Sequence, residues 1–321
     1  MSPEVTPAST VPTKISAVPT KIMLLDTASL YFRAFFGVPN TIKAPDGTPV
    51  NALRGLLEFI SRLVDDHQPT HLVAAWDDDW RPQFRVELIP SYKAHRVVDQ
   101  ALETEEVPDE LSPQVPLIIQ ALELLGIARI GVPGYEADDI IGTLAATTKS
   151  PVLIVTGDRD LFQLVDNAQP ITVLYTAAKG VGAAERIDDE AILLRYGIHS
   201  HQYSDYALLR GDSSDGLPGV RGIGEKTAAR LIDEFGSVTA IYAAIDEGTA
   251  KLAPGVTRNL LDGRDYAGIA RGVVEVVKDI EIPTFEAVIP AASPDPQALA
   301  DFAAQWGVTS SVERVRRSFG W

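Results

Sequence analysis

Residues 152–160 read VLIVTGDRD, an apolar run that ends in two aspartates, Asp158 and Asp160. Two other stretches have the same form: residues 21–26 read KIMLLD, and residues 71–77 read HLVAAWD. Their apolar parts carry almost no charge, which is typical of parallel strands covered by helices on both faces. Because the carboxyl ends of parallel strands share one edge of a sheet, we expect the acidic ends of these three strands to face one cleft.

Two further acidic clusters stand in turns or helix starts, where residues 135–139 read YEADD and residues 211–216 read GDSSDG. If the strands are neighbours, up to nine carboxylates converge on the cleft: Asp26, Asp77, Glu136, Asp138, Asp139, Asp158, Asp160, Asp212 and Asp215. Two carboxylates a few ångströms apart repel each other by about 1–4 kcal/mol at effective dielectric constants from 80 down to 20. So large a cluster must therefore take up protons or hold divalent cations.

The type of ligand narrows the choice of cation. Oxygen ligands without histidine or cysteine favour Mg²⁺ or Mn²⁺ over zinc. Two such ions about 3.5–4 Å apart can activate a water molecule and stabilise the leaving oxygen of a phosphodiester. The clusters thus indicate a metal-dependent enzyme that acts on phosphate esters. The alternative is that the aspartates are helix N-caps and turn formers, which explains any one cluster equally well but does not explain all five together.

The overall composition excludes several classes of protein. A chain of 321 residues with 45% hydrophobic content can bury a core, as one large domain or two unequal ones. The absence of cysteine excludes disulfides and thiolate metal sites and fits a cytosolic setting. No apolar run approaches the ~20 residues that span a bilayer, and residues 1–20 have the composition of a flexible tail.

The spacing of apolar residues predicts an α/β domain. Helical periodicity in residues 51–65 and 115–125, set between the apolar strands, predicts a doubly wound and mostly parallel sheet. Residues 79–114 form a polar segment that interrupts this alternation, as functional lids and binding loops do. The last third of the sequence predicts short helices joined by Gly-rich turns, an edge strand and linker at 281–294, and a final basic helix within 296–321.

The net charge of −16 argues against nucleic acid as a ligand, yet the basic residues are clustered. Residues 81–96 interleave basic and aromatic side chains, Arg85 and Tyr92 among them, as sites for single-stranded nucleic acid do. Lys93 and Arg96 are three positions apart, so on a helix both could reach one scissile phosphate and stabilise charge in its transition state. A solvated charged loop is the alternative interpretation.

Residues 219–224, GVRGIG, have the form of a helix-hairpin-helix turn. Glycines let the backbone approach a phosphate closely and direct consecutive N–H groups at it. Arg221 and Lys226 would add positive charge without reading the base sequence. The alternative is a plain Gly-rich turn between helices. His199 and His201 are interpreted as surface polar residues, because a site for a hard cation has no use for imidazole.

Residues 134–139 (GYEADD), 156–161 (TGDRDL) and 211–228 (GDSSDGLPGVRGIGEKTA) together resemble the motifs of the bacterial 5′ nuclease (flap endonuclease) family. That family includes the 5′-exonuclease domain of DNA polymerase I, and the resemblance covers about residues 21–285. It implies a PIN-like core with a central parallel sheet, a helical arch over the active site and a helix-3-turn-helix module that binds duplex DNA. It further implies a potassium ion at the helix-hairpin-helix.

The resemblance implies domain boundaries as well. They give a disordered tail at 1–20, a metal-dependent nuclease core at 21–197 with the arch at about 80–114, a helix-3-turn-helix region at 198–285 and a C-terminal segment at 286–321 that packs back on the core.

The family's site residues can be transferred to this sequence motif by motif. One metal would be held by Asp26, Asp77, Glu136 and Asp138, and a second by Asp158, Asp160 and Asp212. A further ion or water-mediated contacts would involve Asp139 and Asp215. Arg33 would contact DNA, and the foot of the arch would carry Lys93 and Arg96. The duplex backbone would be gripped by Gly219, Val220, Gly222 and Gly224.

The expected protein is a 5′ nuclease that acts as flap endonuclease and 5′-3′ exonuclease on DNA with a 5′ flap or single-strand/duplex junction. It would use two or more Mg²⁺ or Mn²⁺ ions, in replication and repair. Because the chain stops at Trp321, we expect a stand-alone monomer, cytoplasmic and nucleoid-associated, that works beside a DNA polymerase I and not at a membrane. Two alternatives stay open: a non-catalytic DNA-binding relative, and a PIN-type ribonuclease.

Overall fold

The protein is built around a six-stranded sheet in a computed structural model that describes residues 20–99, 104–105 and 107–321. The strands are β1 (Ile22–Asp26), β2 (His71–Ala75), β3 (Val97–Asp99), β4 (Thr104–Glu105), β5 (Ala128–Ile130), β6 (Val152–Thr156), β7 (Ile171–Tyr175) and β8 (Glu185–Ile187). The sheet has the order β5-β2-β1-β6-β7-β8, and β3 and β4 form a separate antiparallel pair. The tail predicted for residues 1–20 lies, except for Thr20, outside the described residues.

The chain enters the sheet at its centre and builds outward in two directions. From β1 it proceeds to β2 and β5 on one side, and it then returns to β6 and β7 on the other, all in parallel. Only β8 runs antiparallel, against β7. The direction of building therefore reverses between β1 and β6, which is where doubly wound sheets bind ligands. The predicted mostly parallel α/β fold is confirmed.

Helices cover both faces of the sheet. In the described residues they are α1 (Thr27–Gly37), α2 (Asn51–His67), α3 (Gln83–Leu88), α4 (Gln114–Leu124), α5 (Ala137–Thr147), α6 (Asp189–Tyr196), α7 (Tyr203–Arg210), α8 (Glu225–Phe235), α9 (Val238–Asp246), α10 (Pro254–Asp262), α11 (Arg264–Val274), α12 (Pro296–Gln305) and α13 (Thr309–Phe319). The two helices predicted at 51–65 and 115–125 are α2 and α4, so the apolar periodicity placed them correctly.

The side chains of β1 alternate between two cores. Leu24 belongs to the core that also contains residues of α5, α7, α8 and α11, whereas Met23 and Leu25 belong to the core with residues of α1, α2, α4 and the two C-terminal helices. Helices α1 and α2 lie close together, since Gly55 has no β-carbon. A β-carbon added there would lie 2.6 Å from the β-carbon of Ala34. Since α1 follows β1 directly, this contact helps to fix the acidic end of β1.

The C-terminal segment contacts the face of α2. Ser311 and Arg314 of α13 both donate hydrogen bonds to Glu58 of α2, and Val312 and Val315 lie in the same core as α2. These contacts join the end of the chain to the layer that also holds α1.

Two regions differ from the sequence-based expectation in detail. Residues 281–294 form no strand, contrary to prediction, and make one isolated bridge between Val288 and His71. Three prolines in that stretch remove backbone donors that a strand would need. In the described part of 80–114 the chain forms α3, a 3₁₀ turn at 94–96 and the β3–β4 pair.

Candidate active site

A cleft of about 640 Å³ lies over the carboxyl edge of the sheet. Six of the predicted carboxylates line it: Asp26, Asp77, Glu136, Asp138, Asp158 and Asp212. Lys93 and Arg96 line it too, together with aromatic side chains of Tyr31, Phe32, Trp76 and Trp80. Strand ends, the first turn of α5 and the loop after α7 thus bring acids from distant parts of the chain to one place.

Asp26 and Asp77 stand at the ends of β1 and β2. The carboxylate of Asp26 accepts hydrogen bonds from the Thr156 hydroxyl at 2.6 Å and from the Ser29 N–H at 3.2 Å. Burial, opposed by the Thr156 hydrogen bond and assisted by the charge of Asp77, raises the pKa of Asp26 to about 7. Asp77 accepts from the Ala137 N–H at 2.8 Å, and burial raises its pKa too.

The acids around β6 are poorly neutralised by the protein. Burial, with the charges of Asp26 and Asp158, raises the pKa of Asp138 well above its ordinary value. Burial and the charge of Asp158 do the same for Asp160. One oxygen of Asp160, Oδ1, is buried without a hydrogen-bond partner. These shifts express electrostatic repulsion that a bound cation would relieve.

The donor set fits a hard divalent cation. It consists of carboxylate oxygens, and the orphaned Oδ1 of Asp160 has the lone pairs that a cation would use. Among residues 20–99, 104–105 and 107–321, no three acidic, histidine or cysteine side chains are already grouped around one point. Binding would therefore draw the carboxylates closer together than they lie here.

Arg85 lies beneath the cleft and clamps two of the predicted metal ligands. Its guanidinium donates to both oxygens of Asp139, at 2.6 and 2.8 Å, and also to Glu136. The Val277 N–H donates to Asp139 as well, at 2.9 Å, and the Asp139 side chain is fully buried. Asp139 is thus paired within the protein and does not line the cleft, and its role as a metal ligand stays a prediction.

The side chains of Arg85 and Tyr92 are buried and paired within the protein, so neither is exposed for the contact with DNA that was predicted for them. The Tyr92 hydroxyl donates to Glu136 at 2.6 Å, beside the ammonium group of Lys93, which contacts the same carboxylate. Burial alone would raise the pKa of Glu136, but Lys93 and Arg85 outweigh it and hold the pKa below its ordinary value. Glu136 is therefore the carboxylate of the cleft that the protein itself neutralises most fully.

The loop after α7 ties the basic segment to the acidic edge. Asp212 accepts from Arg210 at 2.9 Å, and Asp215 accepts from Arg96 at the same distance. The Lys93 N–H donates to the Asp215 carbonyl, with Lys93 in the left-handed region at φ 47°. Lys93 and Arg96 are consequently held at the rim of the cleft by a segment more than a hundred residues away.

The glycine hairpin follows the same loop. Gly219 has φ 66°, and a β-carbon there would lie 2.6 Å from the Arg210 carbonyl oxygen, so only glycine fits. Val220 is buried and its N–H donates to the Leu209 carbonyl, and its contact with DNA stays a prediction. It anchors the hairpin to α7.

Other predicted contact residues of this region lie at the surface. Arg221, Gly222, Gly224 and Lys226 are exposed. Arg33 is half-buried on α1, with its Nε buried and without a hydrogen-bond partner. It borders an apolar groove next to the cleft, beside the exposed ring of Phe36.

Sequence reasoning missed several residues that shape the site. Thr156 and Ser29 orient Asp26 and the start of the loop after β6, and Glu105 of β4 lines the cleft. Arg159, between Asp158 and Asp160, lines it as well. Thr156 could have been found from the sequence, as a hydroxyl residue at the end of an apolar strand. The position of Glu105 at the cleft depends on the path of the surrounding segment, which the sequence does not show.

The chain matches two family descriptions. Residues 21–197 match "5'-3' exonuclease, N-terminal resolvase-like domain", and residues 198–297 match "5'-3' exonuclease, C-terminal SAM fold". No helix in the described ranges is long and apolar enough to cross a membrane.

Two relatives of similar length are named 5'-3' exonuclease, and a longer relative matches over part of its length. A 5'-3' exonuclease of Streptomyces coelicolor is 57% identical over 296 residues, which is 91% of this chain and 98% of that protein. One of Mycobacterium tuberculosis is 46% identical over 308 residues, 92% of this chain and 96% of that protein. A DNA polymerase I of Mycobacterium bovis is 40% identical over 266 residues, which is 81% of this chain but 27% of that protein.

Solved structures share the fold at low sequence identity. The T5 5'-exonuclease with bound zinc has a TM-score of 0.62 at 18% identity and covers 93% of this chain and 98% of its own. The catalytic core of Rad2 in complex with a DNA substrate has a TM-score of 0.61 at 19% identity, with 94% and 93% covered.

Proposed function

Because this chain belongs to the 5'-3' exonuclease family, we propose that it is a divalent-metal-dependent 5′ nuclease that hydrolyses DNA phosphodiesters near single-strand/duplex junctions. The observation that carries the proposal is the convergence of carboxylates from separate strands and loops on one cleft. The pKa values of Asp138, which lines the cleft, and of Asp160, two residues beyond the cleft residue Asp158, are raised, and one oxygen of Asp160 has no hydrogen-bond partner, as expected of a site that is completed by cations. Relatives of the same length support a nuclease that works without an attached polymerase.

Asp26, Asp77, Glu136 and Asp138 would hold one cation, and Asp158, Asp160 and Asp212 another. Bound divalent cations would supply an activated water nucleophile and charge stabilisation at the leaving oxygen. Mg²⁺ or Mn²⁺, in two or more copies, suits the oxygen ligands. The arrangement of Asp26 and Asp158 at neighbouring strand ends favours two adjacent positions over a single one. Asp215 would act in support, since Arg96 already neutralises it.

Lys93 and Arg96 would act as fixed positive charges at the scissile phosphate. Burial alone would lower the pKa of Lys93, but Glu136 outweighs it and raises the pKa well above its ordinary value. Lys93 therefore keeps its proton, and its contribution would be electrostatic stabilisation instead of proton transfer. Arg96 lies on the same rim and would share this task.

The duplex side of the junction would lie on the hairpin. The exposed Arg221 and Lys226, with the backbone of Gly222 and Gly224, would contact phosphates without reading sequence. Arg33 would contact DNA from α1. A potassium ion at the hairpin, a DNA polymerase I as partner, the monomeric state and a nucleoid-associated location in the cytoplasm stay predictions. So do the arch at 80–114 and the domain boundaries.

The proposal can be tested with labelled substrates. The wild-type protein and Asp158→Ala are incubated with a 5′-flap DNA, blunt duplex DNA, single-stranded DNA and the matching RNA flap, each with Mg²⁺, with Mn²⁺ or with EDTA. Asp301→Ala, which changes an exposed carboxylate on α12, is the matched control. We expect the wild type and the control to cut the flap DNA near the junction in a metal-dependent way, and Asp158→Ala to lose this activity.

The same experiment separates the two alternatives. Binding of flap DNA without metal-dependent cleavage by the wild type would identify a non-catalytic DNA-binding relative. Cleavage of RNA alone would identify a PIN-type ribonuclease. Either outcome removes the DNA nuclease proposal.

A further inference from the structure

Arg159 lies where the cleft meets a second cavity. It follows Asp158 directly and precedes the 3₁₀ turn at 160–164. The second cavity, of about 610 Å³, is lined by Arg159 and Asp212, which also line the cleft, and by Gly224 at the start of α8. It therefore lies between the acidic edge of the sheet and the glycine hairpin. A nucleic-acid backbone that touches both would pass over it.

Arg159 differs from the neighbouring basic residues in how it is paired. Arg96 contacts Asp215 at 2.9 Å, and Arg210 contacts Asp212 at 2.9 Å with a side chain that is only 8% exposed. Lys93 is bound to Glu136. Arg159 is 38% exposed, and its ion pair with Asp212 is long, at 3.9 Å. Among the described basic groups at this rim, its guanidinium is the one least committed to a carboxylate.

The cavity is otherwise suited to an anion. Ser213, Gly216 and Pro218 line it without charge, and its two carboxylates, Asp212 and Glu225, lie 2.9 and 3.8 Å from the guanidinium of Arg210. Asp212 is turned toward Arg210 and the Ser214 N–H, both of which donate to it at 2.9 Å. Arginine presents a planar fork of donors that matches two oxygens of a phosphate. A guanidinium on one wall and an exposed glycine backbone on the other can hold a phosphodiester between them.

We propose that Arg159 forms a subsite for a backbone phosphate of the DNA strand, on the duplex side of the scissile bond. The subsite rests on the proposed nuclease function and adds to it a contact that no motif assigned. It fixes the distance between the duplex held at the hairpin and the phosphodiester held in the cleft. Arg159 is thus a positioning residue that determines where the strand is cut.

Binding in EDTA tests the subsite without using activity. The dissociation constant of a fluorescent 5′-flap duplex is measured by anisotropy over a series of salt concentrations for wild type, Arg159→Ala, Arg159→Lys and Arg159→Gln. Arg195→Ala is the matched control, because its side chain is 36% exposed and paired with Glu185, and it lines neither cavity. We expect Arg159→Ala to bind roughly tenfold more weakly, as loss of a hydrogen bond to a charged group implies.

The salt series gives the decisive reading. Loss of one phosphate contact lowers the slope of log K against log salt by about 0.9. Arg159→Lys keeps the charge and should keep the slope, whereas Arg159→Gln should lose it as Arg159→Ala does. An unchanged slope in Arg159→Ala and Arg159→Gln overturns the proposal, even if cleavage is slower. Arg159 would then contact only its acidic neighbours and no phosphate of the DNA. Comparing Arg159→Lys with Arg159→Gln keeps the test valid should Arg159→Ala be unstable.

Mapping the cut sites provides a second and independent test. With Mg²⁺ or Mn²⁺, Arg159→Ala should spread its cuts over neighbouring positions of the flap substrate, whereas wild type and Arg195→Ala should cut at one position. Cuts at the wild-type position alone would count against the proposal. A wild type that shows the Arg159-dependent salt slope but cleaves nothing would support the phosphate subsite and disprove the nuclease function, so the two failures are distinguishable.

Discussion

Asp138 and Asp139 are consecutive residues in the first turn of α5, yet their carboxylates have opposite surroundings. Asp138 faces the cleft, where burial and the charges of Asp26 and Asp158 raise its pKa well above its ordinary value. Asp139 points away from the cleft and is fully buried, with both oxygens bound by Arg85. The first is a charge that the fold leaves unpaired, and the second is a charge that the fold has already paired.

The difference extends to two groups of acids. An open group, Asp26, Asp138 and Asp160, has raised pKa values because of burial and neighbouring carboxylates, and bound metal would lower the cost of charging these acids. A clamped group, Glu136 and Asp139, is bound by the guanidinium of Arg85, and Lys93 also contacts Glu136. Acids of the open group should matter for activity and Asp139 for stability, whereas Glu136, which also lines the cleft, should matter for both. Four substitutions can break or sharpen that distinction.

Replacing Arg85 should have the largest effect. Arg85→Met leaves Glu136 and Asp139 buried without their shared cation, which typically costs about 3–5 kcal/mol. The free energy of unfolding from urea titration measures the loss. Arg195→Met removes an exposed ion pair and should change stability by no more than about 1 kcal/mol. A similar small value for Arg85→Met would show that the clamped group does not depend on its arginine.

Asp138→Asn should separate activity from stability. Loss of one carboxylate ligand weakens the hold on the cation that would stabilise developing charge, and we expect single-turnover cleavage of flap DNA to slow on the order of 10²–10³-fold. The free energy of unfolding in EDTA should stay the same or rise, since the change removes a charge from a repulsive cluster.

Metal binding provides a further measurement on the same variant. Saturating Mn²⁺ at about 100 times its dissociation constant should stabilise the wild type by about 2.7 kcal/mol. The stabilisation should shrink in Asp138→Asn. Equal stabilisation of both proteins would place Asp138 outside the metal site.

Asp139→Asn should show the reverse pattern on the neighbouring residue. A buried hydrogen-bonded carboxylate becomes a neutral amide that satisfies Arg85 less well, which costs about 1–3 kcal/mol. The folded variant should cleave flap DNA at a rate far closer to wild type than Asp138→Asn does. If both variants lose activity equally, the two carboxylates belong to one functional group and the comparison fails.

Tyr266→Phe should have the smallest effect of the four. The Tyr266 hydroxyl accepts a hydrogen bond from the Gly219 N–H at 3.2 Å, so one N–H of the hairpin is already paired within the protein. Its loss should weaken duplex binding by about 0.5–1.5 kcal/mol, measured by anisotropy. Tyr242→Phe is the matched control, because that hydroxyl donates to the Leu260 carbonyl and does not touch the hairpin. Equal affinity of both variants would show that the hairpin does not need this bond.

The acids of both groups were predictable from sequence, and the arginine that clamps two of them was not. Asp26, Asp77 and Asp158 each follow an apolar run, and the shared edge of a parallel sheet brings such residues together. Arg85 gave no comparable signal, since it meets Asp139 54 positions away and the Val273 carbonyl 188 positions away. In the sequence it looked like one more basic residue beside an aromatic ring.

The strands of the sheet also divide into those that the sequence predicts and those that it does not. Strands β1, β2 and β6 have five residues each and were visible as apolar runs with almost no charge. Strands β5 and β8 have only three residues each and include charged ones, so no periodicity marks them. They exist because β2 and β7 offer them backbone partners, which is a property of the folded sheet and not of either segment.

Because α1 and α2 are in close contact, the cleft is sensitive to the size of the side chains where these two helices meet. Asp26 both ends β1 and caps α1, and the methyl group of an alanine at position 55 would meet Ala34 on the buried side of that helix. To make room, α1 would have to shift and carry Ser29 and Arg33 with it. The reactivity of this enzyme is therefore open to tuning by residues that never touch metal or DNA, through the position of a single helix.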